Sequence, residues 1–197
     1  MKNCYLQQVI LSILLSSLLS GCLPVVFIGA ASTTIELSKD QSFNEILNDA
    51  KICTTIKSVM ITQGFRNLYS KIGISVIQGR VLLTGNIDKV QDSMIATKIA
   101  WDQAGVREVI NELNINQNSN KFDLIQYMRD LSITSQINAK ILIFRDIKFA
   151  NYKVITCNDF VYLFGIAKSE TELEKVANIA SNIRCVKKVV SYVTIKI

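Results

Sequence analysis

Few residues in this chain could do covalent chemistry, and one cysteine stands apart from the rest by its position. There is no histidine among the 197 residues, which removes Ser-His-Asp and Cys-His catalysis and most catalytic zinc sites together. The five cysteines, at 4, 22, 53, 157 and 185, include no C-x-x-C pair, so neither a zinc ribbon nor a thioredoxin-type redox centre fits. Neither G-x-G-x-x-G nor G-x-x-x-x-G-K-[ST] occurs, so the glycine loops that cradle phosphates are missing too. No enzymatic activity, metal or cofactor is expected. Cys22, however, follows a positive Lys2 and an apolar run from Val9 to Leu19, which is the layout of an export signal.

The segment Leu19-Ser20-Gly21-Cys22 resembles a bacterial lipobox. That resemblance implies a diacylglycerol on the Cys22 thiol, cleavage before it and acylation of the new amine. Several acyl chains, at about 0.8 kcal/mol per buried methylene, anchor a protein without a spanning helix. The competing reading is an uncleaved membrane helix running on from Leu23 to Ile28, which length alone permits. Ser16, Ser17, Ser20, Gly21 and Pro24 interrupt that run and argue against it. Leu23 stands where Gram-negative lipoproteins retained in the inner membrane carry Asp, so the similarity implies an outer-membrane anchor facing the periplasm. Residues 1–21 are expected to be the signal peptide and 22–44 the lipidated N-terminus and tether. Cys53, Cys157 and Cys185 are expected to be small buried residues, with an odd count that leaves at least one unpaired or bridging two chains.

The remaining chemistry is electrostatic. Residues 46–116 hold eight Lys/Arg against six Asp/Glu, whereas 121–197 hold twelve against seven. A basic face attracts anionic lipid headgroups at about 1 kcal/mol per Lys/Arg near the surface. The candidate contact is the helix that opens the second half, where Tyr127, Met128 and Leu131 stand beside Arg129, with Lys140 further along. There cations would meet phosphates while apolar tips enter the interface. The alternatives are that Tyr127, Met128 and Leu131 face the sheet and that the charges only keep the protein soluble. The export pattern argues against nucleic acid as a partner.

The elements that must position these residues come in two copies. Val81-Leu82-Leu83-Thr84-Gly85 reappears 80 residues later as Val161-Tyr162-Leu163-Phe164-Gly165, and Gly105-Val106-Arg107-Glu108-Val109 as Cys185-Val186-Lys187-Lys188-Val189. A repeat of this kind is one supersecondary unit built twice. In the first copy, apolar positions from Ile46 to Met60 space as a helix, and Ile72–Ile77 and Arg80–Gly85 form a hairpin about Gln78-Gly79. A second helix starts at Asp88 and ends before Gly105, in the C′ place, and Val106–Ile115 alternates as a strand. The second copy repeats this, with a helix over Asp123–Leu142 and a hairpin about Asn158-Asp159. Its next helix is capped by Ser169 with Glu172 three residues on, and a closing strand follows from Val186. The expected class is α+β: two tandem αββαβ units, each with two helices on a three-stranded mixed sheet. Gly85 and Gly165 are expected to end equivalent strands, and with Gly79 and Gly105 to serve structure.

These marks resemble the BON domain. Its motifs are matched by Asp49-Ala50-Lys51-Ile52, by Gly79 through Gly85 and by Gly105 through Val109. In the second copy they are matched by Asp130-Leu131-Ser132-Ile133-Thr134, Val161 through Gly165 and Val186 through Val189. Asp159 stands where the hairpin glycine is Gly79, Cys185 where Gly105 is, and Ser132 where such second domains often carry a bulky aromatic. With the lipobox, the chain is similar to the dual-BON outer-membrane lipoproteins, with BON domains expected over 45–117 and 121–197. The resemblance implies a periplasmic protein that binds anionic phospholipid and maintains envelope integrity. The alternative expectation, from a different class, is a protein-interaction module that assists outer-membrane assembly machinery.

Overall fold

The computed structural model describes residues 42–116 and 123–196, apart from the side chain of residue 67. The export signal, Cys22 and nearly all of the tether lie outside these residues.

Helix α1 (Phe43–Thr62) begins in a full capping box: Glu45 N–H donates to Ser42 Oγ at 3.3 Å, and Ser42 N–H to Glu45 Oε2 at 2.8 Å. Its buried face is Ile52, Cys53, Ile56 and Met60, spaced three and four apart as a helix against a sheet requires. A short helix, α2 (Arg66–Lys71), comes next; its mixed sequence carries no periodic signal. Strands β1 (Ile72–Ile77) and β2 (Arg80–Ile87) pair antiparallel, Ile77 opposite Arg80. Helix α3 (Val90–Trp101) then crosses back so that β3 (Glu108–Ile115) lies parallel to β2, giving the mixed order β1-β2-β3.

The second copy repeats the order with α4 (Leu124–Ile143), β4 (Tyr152–Cys157), β5 (Phe160–Ala167), α5 (Glu170–Ser181) and β6 (Lys188–Ile195). A 3-10 turn at Phe149–Asn151 precedes β4. Its helical core is Ile133, Ile137 and Ile141 from α4 and Val176 and Ala180 from α5, packed on Val161, Leu163 and Ala167 of β5. The fold is α+β, as the periodicity implied.

Several local expectations need correction. Asp88 does not cap α3; its carboxylate pairs with Lys71 Nζ at 2.5 Å, and the cap position falls to Lys89, which makes no side-chain cap bond. Gly85 and Gly165 do not end strands, since β2 and β5 run on to Ile87 and Ala167. Both are crossed closely by backbone: a Cβ on Gly85 would stand 2.1 Å from Lys71 O, and one on Gly165 2.2 Å from Asn151 O. Gly105 has positive φ, at 90°, but lies beyond the Asp102 C-cap, not in the C′ place. Ser169 does cap α5, yet Glu172 does not return to its amide. The buried Glu172 carboxylate instead accepts Lys148 N–H at 2.8 Å and Lys168 N–H at 3.0 Å, stapling two loops to the helix start.

The two sheets pack face to face. Strand β5 is buried along nearly its whole length because its alternate residues serve two cores. Tyr162, Phe164 and Ile166 turn away from their own helices and join Ile77 and Leu82 of the first copy. Polar groups lock the join at its margins. Arg80 donates Nη1–H to Tyr192 O at 2.9 Å, and its guanidinium stands 5.4 Å from the centre of the Phe164 ring. Asn86 and Asn158 exchange amide hydrogen bonds, and Lys153 Nζ donates to Val76 O at 2.9 Å.

Candidate functional site

Helix α4 carries the residues singled out for membrane contact. Asp123 caps it, accepting Gln126 N–H at 3.0 Å, and Ile133, Ile137 and Ile141 fix its inward face. That rotation leaves Tyr127, Met128 and Leu131 exposed rather than turned to the sheet. It also exposes Leu124, Ile125, Leu142, Ile143 and Phe144, with Ile125 at 74% and Ile143 at 76%. Leu124, Leu131 and Leu142 return to one side of the helix, opposite the isoleucine stripe. The sequence reading missed Leu124, Ile125, Leu142 and Ile143. Their signal was present: each is apolar yet out of phase with the stripe Ile133, Ile137 and Ile141. So many exposed large apolar groups on one helix exceed what scattered surface residues explain.

The two cations named for this helix have different settings. Lys140 is exposed and lines a shallow groove of about 680 Å³ with Ile143, Phe144 and Lys175. It makes no ion pair or side-chain hydrogen bond among the described residues. Arg129 is half engaged, its Nη1 lying 3.6 Å from Asp159 Oδ2. Of the wider basic set, Lys187 also binds Asp159, Lys175 binds Asp146 and stands 4.1 Å from the centre of the Phe144 ring, and Lys153 reaches the first copy. Part of the excess charge therefore does structural work. Ser132 is exposed, its hydroxyl bonded by Gln136 Nε2 at 3.1 Å.

In both copies the motif aspartate clamps the hairpin. Asp49 accepts the amides of Gln78 and Gly79, each at 2.8 Å, and Asp130 those of Asn158 and Asp159, each at 2.9 Å. Both central residues of each turn have φ between 52° and 72°, the type I′ geometry that suits a right-twisted hairpin. Replacing Asp130 by Ala leaves two amides with no acceptor in a part-buried turn. A loss of about 2–3 kcal/mol is expected, read as a lowered urea midpoint, with the same result for Asp49→Ala.

Asp159 adds a network that the first copy lacks. Burial alone would raise its carboxyl, but hydrogen bonds from Lys187 and Gln126 and the charges of Lys187 and Arg129 overcome this and hold it below the ordinary carboxylate range. The cysteines differ from one another. Cys53 is buried, whereas Cys157 is half-buried, its thiol pushed up to about 11 by burial and then by the Asp130 charge. Cys185 is exposed, contrary to the expected burial, because it occupies a loop position with φ of 73° where the first copy has Gly105. Cys157 and Cys185 are both free thiols.

Among the described residues no helix is long and apolar enough to cross a membrane. An uncharacterized protein in the gshII 5′ region of Anaplasma centrale is 36% identical over 150 residues, covering 76% of this chain and 96% of that one. The outer membrane lipoprotein DolP of Haemophilus influenzae is 28% identical over 172 residues, 87% of each chain. Osmotically-inducible protein Y of Escherichia coli is 26% identical over 154 residues, 76% of this chain and 75% of that. The BON domain model matches twice, over residues 48–117 and 129–197. BON domains are non-enzymatic modules, in keeping with the missing catalytic residues. With one match in each structural repeat, together spanning well over half its length, the chain belongs to the BON-domain family.

Proposed function

We infer that this protein is a lipid-anchored component of the outer membrane, facing the periplasm, that holds anionic phospholipid through its second BON domain. The observation that carries this reading is the apolar outer face of α4, in a repeat that also carries exposed cations. Acyl chains on Cys22 supply the anchor. The exposed side chains Leu124, Met128, Leu131 and Leu142 enter the interface, while Lys140 and the exposed Arg145 meet phosphate groups. Support comes from the relative named as an outer membrane lipoprotein, which matches along nearly the same length. Such a contact would contribute to envelope integrity.

Residues 36–197, which lack the anchor, test the reading in co-sedimentation with vesicles. Binding to anionic vesicles that weakens with salt is expected, and none to zwitterionic ones. Met128→Asp combined with Leu131→Asp should weaken binding at least about tenfold, because two charges would have to be desolvated. The thermal midpoint should hardly move, both positions being exposed. Failure to bind either vesicle type would leave Cys22 as the sole membrane contact and favour a protein-interaction module assisting outer-membrane assembly.

A further inference from the structure

The two copies make the same backbone bonds around the hairpin turn and differ in what fills the space beneath it. Arg107 N–H donates to Gly79 O at 2.8 Å, and Lys187 N–H to Asp159 O at 2.9 Å. With the aspartate clamps, these bonds make Gly79 the counterpart of Asp159 and Arg107 the counterpart of Lys187. In the second copy the Asp159 side chain, only 3% exposed, turns back under the turn. Its Oδ1 accepts from Gln126 Nε2 at 2.8 Å, and its Oδ2 lies 2.9 Å from Lys187 Nζ. In the first copy glycine leaves that volume open, as a pocket of about 560 Å³ between α1, the turn and the loop before β3.

Three observations say what the open pocket would take. A Cβ at position 79 would stand 2.5 Å from Gly105 O and 3.3 Å from Arg107 Cγ, so this copy cannot supply a side chain of its own there and any group that meets Arg107 must come from outside. Arg107 spends only Nε, on Gln78 O at 2.8 Å. Its terminal amino groups, and the ammonium of Lys51 on the pocket wall, have no partner among the described residues. Two carboxylates also line the pocket, but Asp49 is committed to the turn amides, and Glu45 Oε2 to Ser42 N–H at 2.8 Å. Glu45 stands where the second copy has Gln126, each three residues after its helix cap. We propose that this pocket is a binding site for a peptide carboxylate, which takes from a partner chain the group that the second copy supplies as Asp159. A guanidinium with open terminal amino groups offers the paired donors that a planar carboxylate accepts. The proposal does not depend on the membrane reading.

The test is an isotope-edited NMR titration of the full chain in micelles. The probes are N-acetyl-aspartate N-methylamide, acetate and, separately, inorganic phosphate. Saturable shifts of the Arg107 Nε–H and of the Gln78 and Gly79 amides are expected with both carboxylates. Arg107→Gln should weaken them at least about tenfold, and Glu45→Gln should strengthen them. Asp159→Gly keeps a backbone that glycine accepts readily, at φ 69°, and opens the second pocket. Its thermal midpoint should be lowered and then raised by acetate more than that of the unaltered chain. Absence of saturable shifts, equal binding by Arg107→Gln, or an Asp159→Gly midpoint indifferent to acetate would overturn the proposal. Phosphate bound as tightly as the carboxylates would overturn the assignment of ligand class.

Discussion

Phe164→Ala is expected to lower stability by about 3–5 kcal/mol, the usual cost of emptying a large aromatic site in a core. Phe164 is fully buried, but not among the helices of its own repeat. It lies between the two sheets with Tyr162 and Ile166, against Ile77 and Leu82, and under the Arg80 guanidinium. Truncation therefore opens a cavity at the join and removes the ring that Arg80 covers. Urea unfolding followed by far-ultraviolet dichroism measures the loss. A cost below about 1 kcal/mol would mean that the join is loose and that each repeat is held chiefly by its own helices.

Gly85→Ala should cost about as much, for a different reason. Gly85 has φ of 132°, which side chains rarely adopt, and a methyl there would stand 2.1 Å from the Lys71 carbonyl oxygen. Neither backbone can retreat cheaply, because Ile72 is paired opposite Gly85 across the hairpin. Strain and overpacking together give about 3–5 kcal/mol. Gly64→Ala is the control. Gly64 also has positive φ, at 84°, but nothing lies within 4 Å of its absent Cβ, so only the backbone term of about 1 kcal/mol is expected. Comparison of the two thermal midpoints separates contact from conformation.

Much of the fold was legible because both copies obey simple spacing. The helix over Asp123–Leu142, the capped start of α5 and the Asn158-Asp159 turn each follow from local rules. What sequence reasoning could not place were features set by distant contact. Gly85 and Gly165 read as strand ends because nothing local reveals the carbonyl oxygens of Lys71 and Asn151 crossing them. Asp88 read as a helix cap because its true partner, Lys71, lies on the far side of the hairpin. At the candidate membrane face, Tyr127, Met128 and Leu131 were found because a charge sat beside them. Leu124 and Ile143 were passed over, since an apolar residue on a helix is assumed to point inward until the register of Ile133, Ile137 and Ile141 is fixed. The run from Val161 to Ala167 did carry a signal for the second core, an uninterrupted apolar strand where a sheet with one wet face would alternate.

That doubly buried strand changes what kind of repeat this is. In a beads-on-a-string array each bead can loosen while its neighbours stay folded. Here the outer face of one sheet is the inner wall of the other, so neither copy can open without stripping Leu82 or Phe164 of its cover. The two repeats share one buried layer, so a change at Leu82 or at Phe164 alters the cover of side chains in both.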